Sequence, residues 1–375
     1  MRVAIYTETF LPKVDGIVKV ACLTLEHFQR RGIEAVLIAP ERGIREYAGT
    51  PIIGVPGVPL PFYPEGNFLF PHAGTYQRIK AFKPDIMHAF HPLMAGLAGL
   101  MFARWLKVPI IASFHLDVAR ITSFYKFGFL KGTFQRGTRW SFNRANYALA
   151  PSRLVQTELL QLGVNKVGLW RRGVEAEQYH PRFRDAEMRD LLSDGHPDEI
   201  LLLYVGRLAA EKQIEQLRTV LERVRGTRLA LVGDGPYRQE LEHKFAGLPV
   251  KFVGYLRGEA LSKAYASADI FTFTSAFESF GLVLLEAMAS GIPVVSSRVG
   301  GAQDMVREGV TGCTFAVNDV EALACAVEEI ISTPGKLKEM GIAARQYAES
   351  QSWPNMMDEL IDCYEAIMSG KPSPI

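Results

Sequence analysis

The feature that most constrains this chain is a rhythm that starts twice. Short apolar runs at residues 2–7, 34–39, 109–114 and 147–150 alternate with amphipathic stretches such as Ile17–Arg31. The rhythm restarts at Ile200 with ILLLYVG and continues through RLALVG, VKFVG, DIFTFTS and PVVSS, each followed by a helix-like segment. Runs apolar on both sides are strands covered on both faces, and strand–helix alternation builds parallel sheets. The pattern predicts an α/β chain of two doubly wound domains, 1–172 and 173–351, joined near 172–198 where proline, charge and Gly195 accumulate. Residues 352–375 are expected to add a C-terminal helix that crosses back to the first domain, with Ser352 as N-cap and Pro354 in its first turn. At 375 residues and 48% apolar, the chain has material for both cores.

Several classes drop out on simple grounds. The four cysteines (Cys22, Cys313, Cys325, Cys363) are far apart, with no CxxC pair, which argues against zinc and against a disulfide framework. The start, MRVAIYTETF, is too short an apolar run for a signal sequence and reads as a buried first strand. The long apolar stretch Ile86–Ala103 is interrupted by His88, His91 and Pro92, so it reads as a strand and a buried helix instead of a membrane span. Charge is uneven: residues 1–172 hold 22 Lys plus Arg against 10 Asp plus Glu, and the remainder 20 against 30. A basic first half suits nucleic acid, anionic lipid or phosphorylated ligands, and charge alone does not choose among them.

Parallel sheets bind ligands beyond the carboxyl ends of their strands, so the chemistry should lie in the loops there. In TSAFESFGLVLLEAMASGIPVV (274–295), a strand ends at Ser275, a loop carries Glu278, and a helix opening near Gly281 brings Glu286 round within about a turn and a half. The N–H groups around Phe280, Gly281 and Leu282 would favour an anion such as phosphate. A carboxylate on the helix could take ribose hydroxyls and one in the loop sugar hydroxyls; the plainer alternative is an acidic pair favoured by the helix dipole. Upstream, YVGRLAAEKQIEQL sets Arg207 after a strand and Lys212 one loop later, two cations suited to a diphosphate, or else surface cations paired with Glu211 or Glu215.

GRLAAEK, VGDGP (232–236), ESFGLVLLE and VVSSRVGG (294–301) together resemble the nucleotide-sugar domain of retaining GT-B glycosyltransferases of family four, over essentially the whole chain. The resemblance implies two Rossmann-like domains facing a central cleft. It implies that Glu286 holds ribose, Glu278 the donor sugar, and Arg207 with Lys212 the diphosphate, while Gly233, Asp234 and Gly235 turn beside the base. In the first domain Gly16, after TETFLPKVD, would leave backbone access for the donor; the family often has two glycines where this chain has Asp15-Gly16, and Asp15 is either a turn former or an acceptor contact. His115 of IIASFHLD matches a family position at a strand end and is taken as a catalytic or ligand-contacting group, the alternative being a satisfied core histidine. No Asp-x-Asp occurs, so no metal and no cofactor are expected, and GxSxG, HExxH and GxxxxGK[ST] are also missing.

Between Asp117 and Glu158 lie seven cations (Arg120, Lys126, Lys131, Arg136, Arg139, Arg144, Arg153) and no acid, interleaved with aromatics including Phe124, Phe129 and Trp140. That composition fits an anionic membrane surface, nucleic acid, or a half-buried helix with a solvated basic face. Residues 52–71, apolar and proline-stiffened, would make either an acceptor lip or plain packing. LWRRGVEAEQYHP (169–181) and the YKFGFL segment are similar to sulfoquinovosyl and other glycolipid transferases and to mannosyltransferases of bacterial lipids. The expected partners are a nucleotide sugar, UDP- or GDP-linked, and a membrane glycerolipid acceptor, with no nucleic acid. The expected place is the cytoplasm, peripheral on the inner face of the cytoplasmic membrane. The other readings are transfer to a soluble sugar or sugar phosphate, and a sugar-nucleotide epimerase or non-catalytic binder.

Overall fold

A computed structural model describes residues 1–13, 16–60, 63–70, 72–92, 95–115, 117, 129 and 131–375; for residues 59, 60, 63–68 and 95 only the backbone is described. The chain divides into two units, Met1–Arg171 with Pro354–Ile375, and Arg172–Trp353.

In the first unit the described strands are β1 (Arg2–Thr7), β2 (Glu34–Pro40), β3 (Glu46–Tyr47), β4 (Thr50–Val55), β5 (Gly57–Leu60), β6 (Tyr63–Leu69), β7 (Ile86–Phe90), β8 (Ile110–Ser113), β9 (Tyr147–Ala150) and β10 (Val167–Leu169). Eight of them form one sheet in the order β10-β9-β8-β7-β1-β2-β4-β3, parallel except for the short β3 edge; β5 and β6 make a separate hairpin within the 52–71 segment. The helices are α1 (Gly16–Arg31), α2 (Ala73–Phe82), α3 (Ala95–Leu106), α4 (Lys131–Phe142) and α5 (Arg153–Gln161). Helix α1 buries Val18, Ala21, Leu25 and Phe28 at helical spacing, and Arg30 and Arg31 in its last turn oppose the negative end of its dipole. The helix expected to be buried in the 86–103 stretch is buried on one face only. In α3, Leu100, Phe102 and Ala103 cover the sheet while Leu97, Met101 and Trp105 stay exposed, because a single layer of helices leaves its outer side to solvent.

In the second unit, β11 (Ile200–Val205), β12 (Thr227–Val232), β13 (Val250–Gly254), β14 (Ile270–Phe273), β15 (Val294–Ser297) and β16 (Gly312–Phe315) pair in parallel in the order β13-β12-β11-β14-β15-β16. The direction of strand addition reverses between β11 and β14, the switch point at which open α/β sheets bind ligands. The helices are α6 (Ala186–Leu192), α7 (Leu217–Arg223), α8 (Arg238–Lys244), α9 (Gly258–Ala266), α10 (Leu282–Ala289), α11 (Ala302–Met305), α12 (Val320–Ser332) and α13 (Lys336–Glu349). Successive β11 residues alternate between two cores. Leu201, Leu203 and Val205 pack with α9 and α10, and Leu202 and Tyr204 with α7, α8 and α12, each buried leucine contributing about 1.5–3 kcal/mol.

Residues 172–198 form packed structure within the second unit instead of an open joint. Asp185 caps α6 by accepting from Met188 N at 2.8 Å. Arg189 of α6 is buried and bonds Asp269 at 2.7 Å, with the Ser267, Pro197 and Glu199 carbonyls as further acceptors. The last helix, α14 (Trp353–Met368), belongs from Pro354 onward to the first unit, where Phe28 of α1 meets Tyr364 edge-to-face at 6.1 Å.

Candidate functional site

The switch point of the second sheet gathers the residues singled out in that half of the sequence. Near the end of β11, Tyr204 is fully buried and donates to the Arg207 carbonyl at 3.0 Å, which anchors the turn that carries Arg207. The next turn, Ala210–Lys212, is tied to the loop after β14: Ala276 N donates to the Glu211 carbonyl at 2.9 Å, and Thr274 Oγ1 to the Lys212 carbonyl at 2.9 Å. These bonds bring Lys212 Nζ to within 2.8 Å of Glu278 Oε2, although 66 positions separate the two residues. Glu278 Oε1 also accepts from Ser279 N at 3.0 Å, so the carboxylate is oriented from both sides.

Arg207 pairs with Glu211 at 2.5 Å, the partner named in the surface-cation reading, but Glu211 is only 3% exposed. The pair is therefore a built part of the loop, with the arginine placed by a buried carboxylate. Lys212 pairs with Glu278 and not with Glu215.

Helix α10 begins after Gly281, which has no side-chain cap, so the first-turn N–H groups of Leu282 and its neighbours lie at the positive end of the helix. Phe280 is buried against the core. Glu286, one turn on, is 6% exposed and accepts at Oε2 from the Tyr265 hydroxyl of α9 at 2.9 Å. Burial, followed by the nearby Glu286 charge, raises the Tyr265 pKa well above its usual value, so the phenol stays a donor. Tyr265 was not legible in the sequence: nothing about one tyrosine on an apolar helix face marks what its hydroxyl reaches.

Two glycines are required by close backbone approach. Gly233, at φ +132°, would place a Cβ 2.0 Å from the Gly206 carbonyl oxygen, and Gly300, at φ +47°, would place one 2.1 Å from the Glu278 carbonyl oxygen. The loops after β12 and β15 thus lie backbone to backbone against those carrying Arg207 and Glu278. Asp234 serves its turn: Oδ1 accepts from Gly235 N at 2.7 Å and Oδ2 from Arg238 at 3.3 Å.

In the first unit, Gly16 is the exposed first residue of α1, while Asp15 lies outside the described residues. His115 follows β8 by two residues. Its ring stacks on Phe90 at 4.8 Å and 23°, and its Nε2 lies 2.8 Å from Ser113 Oγ. The neighbouring His91 is buried, accepts at Nδ1 from His115 N at 3.4 Å, and is pushed down to a pKa of about 3 by burial. Of the basic aromatic segment, residues 118–128 and 130 lie outside the described residues. Phe129 is 79% exposed, and on α4 Trp140 is half exposed, with the Arg144 guanidinium 3.7 Å over its ring.

Two parallel sheets, the second in Rossmann order with paired cations and carboxylates at its switch point, define a GT-B α/β protein. A solved sucrose-phosphate synthase from Thermosynechococcus elongatus shares this fold at TM-score 0.81 and 21% identity, over 99% of this chain and 100% of that one. Residues 14–178 match the family model for Glycosyltransferase Family 4, and residues 190–347 that for Glycosyl transferases group 1. A GDP-mannose-dependent alpha-mannosyltransferase from Mycolicibacterium smegmatis is 36% identical over 98% of each chain. Sulfoquinovosyl transferase SQD2 from Arabidopsis thaliana is 36% identical over 88% of this chain and 66% of that one. The chain belongs to the family-four glycosyltransferases and is a glycosyltransferase.

Proposed function

We propose that this enzyme moves a sugar from a UDP- or GDP-linked donor to a hydroxyl of a membrane glycerolipid, with retention at the anomeric carbon and without a divalent metal or other cofactor. The observation that carries the reading is the convergence of Arg207, Lys212, Glu278 and the α10 N-terminus at one switch point. In this scheme Arg207, Lys212 and the α10 N–H groups take the charge that grows on the departing diphosphate. Glu278 holds the sugar and Glu286 the ribose. The acceptor oxygen bonds to the anomeric carbon as the carbon–phosphate oxygen bond breaks, and the acceptor proton passes to the leaving phosphate oxygen on the same face. The protein's work is then positioning and charge stabilisation.

The lipid acceptor is supported by the cations and exposed aromatics at and before α4 and by the glycolipid-transferase likeness of the sequence. The corresponding site of action is the inner face of the cytoplasmic membrane. The test is incubation with a panel of radiolabelled UDP- and GDP-sugars and a lipid extract, GDP-mannose first because the relative aligned end to end is named for it. Label in the organic phase supports the proposal. Label in aqueous oligosaccharide replaces the acceptor, and no transfer from any donor removes the transferase reading of the site. Activity that survives excess EDTA supports the metal-free scheme, and loss with rescue by Mn²⁺ overturns it.

A further inference from the structure

Four polar side chains form an unbroken line through the first unit. Tyr364 Oη of α14 lies 2.5 Å from His88 Nδ1 of β7, His88 Nε2 lies 2.9 Å from Ser113 Oγ of β8, and Ser113 Oγ lies 2.8 Å from His115 Nε2. Tyr364, His88 and Ser113 are fully buried. Trp170 packs against both histidine rings, at 5.8 Å from His88 and 6.5 Å from His115, and its indole N–H is tied to the Met356 carbonyl of α14 at 2.9 Å.

Each of these bonds could run in either direction, and burial decides. The Tyr364 hydroxyl has one partner among the described residues, His88 Nδ1. Burial holds its pKa well above the usual value, so it keeps its proton. Were Nδ1–H to donate to the phenol oxygen, the phenol's own proton would have no acceptor, at a cost of about 1–3 kcal/mol. The phenol therefore donates to Nδ1. A neutral imidazole with an unprotonated Nδ1 carries its proton on Nε2, so His88 donates to Ser113 Oγ. The single hydroxyl proton of Ser113 then goes to its other neighbour, His115 Nε2. A neutral His115 that accepts at Nε2 holds its proton on Nδ1.

We propose that Tyr364, His88 and Ser113 are positioning residues that hold His115 in the Nδ1–H tautomer, which sets the ring's N–H on the side turned away from Ser113. Among the described residues the line contains no carboxylate. The order of bonds along these four side chains sets a proton's place and a ring's orientation. The use of that N–H, toward a hydroxyl or phosphate oxygen of substrate, rests on the transferase reading above. The tautomer does not.

The test uses the full chain labelled with ¹⁵N in the histidine rings and long-range ¹H–¹⁵N correlations at neutral pH, with His115 assigned by the signals lost in His115→Gln. A protonated Nδ1 and an acceptor-type Nε2 are expected, and the opposite pattern in the wild-type chain overturns the proposal. Tyr364→Phe removes the end that sets the direction, so its His115 should shift toward a mixture of tautomers; an unchanged pattern in a folded variant overturns the proposal. Should that variant fail to fold, Ser113→Thr keeps the hydroxyl and must retain the wild-type pattern, whereas Ser113→Ala must lose it. Transfer should fall roughly 10- to 100-fold in kcat in Tyr364→Phe, by analogy with partners that orient metal-bound imidazoles, with nucleotide Kd unchanged. Unaltered kcat despite a changed tautomer overturns the positioning role. The expected tautomer in a protein that transfers from no donor sinks the transferase reading and leaves the relay standing, and active transfer with an Nε2–H His115 does the reverse.

Discussion

At the scale of single residues, the carboxylates are distinguished by what already bonds them. Glu286 is buried with Tyr265 on one oxygen, whereas Glu278 is partly exposed and held by Lys212. Glu286→Ala is expected to weaken nucleotide binding by about 1.5–3 kcal/mol, the worth of hydrogen bonds to a charged group, and Tyr265→Phe by about 1 kcal/mol through lost orientation. Calorimetry with UDP and GDP checks both, and wild-type affinity in Glu286→Ala for both nucleotides sinks the ribose assignment. His91 adds a pH dependence. Its folded pKa of about 3 lies below the ordinary 6.5, so its contribution to stability is complete above about pH 6.5. That contribution is lost as pH falls toward 3, at up to about 1.4 kcal/mol per pH unit. Asn tolerates the left-handed backbone at this position (φ 64°), so His91→Asn should flatten the fall in stability between pH 6 and 5. Equal slopes in denaturant titrations of the two proteins contradict this.

At the scale of elements, helix α6 shows why a proline- and charge-rich stretch need not be a linker. Its composition marks it as polar, but Arg189 turns inward and is satisfied by Asp269 and three carbonyls, and Asp269 also accepts from Leu201 N at 2.8 Å. Breaking a buried pair leaves an uncompensated charge, so Arg189→Met should cost about 3–5 kcal/mol. Arg223 bonds Glu321 and Glu328 on the surface, and Arg223→Met should cost under about 1 kcal/mol. Urea unfolding of the two variants side by side is the check; similar midpoints remove the argument that α6 is anchored through its arginine.

At the scale of the whole molecule, the uneven charge of the sequence is redistributed by the path of the chain. The acidic α14 returns to the first unit, where Asp358 bonds His27 at 2.7 Å and pairs with Arg31 of α1. Right-handed crossovers place α1 on one face of the first sheet and α2 to α5 on the other, so Asp358 meets Arg31 of α1 and not the cations of α4. The α4 face keeps its basic character. Binding to anionic vesicles should therefore weaken as salt rises, and joint neutralisation of Lys126, Lys131, Arg136 and Arg139 should remove most of it, at about 1 kcal/mol per cation near the surface. Nucleotide affinity should stay unchanged. Sedimentation with anionic and neutral vesicles is the measurement, and no preference for anionic vesicles at low salt favours a soluble acceptor.

The sequence by itself determined the two α/β units, the strands that carry loops at their carboxyl ends, and Arg207, Lys212, Glu278 and Glu286 as the residues to examine. These are local properties: a strand period, a turn and a helix start are written within some twenty residues, and the spacing of two carboxylates about a helix N-terminus follows from them. Tertiary structure alone decided that Tyr265 supports Glu286, that Arg189 is buried, and that Tyr364 reaches His88 across 276 positions of sequence. A buried polar atom takes whichever partner packing brings within 3 Å, and no periodicity records that choice. Burial then makes each such bond obligatory and, along the line from Tyr364 to His115, fixes where every proton sits.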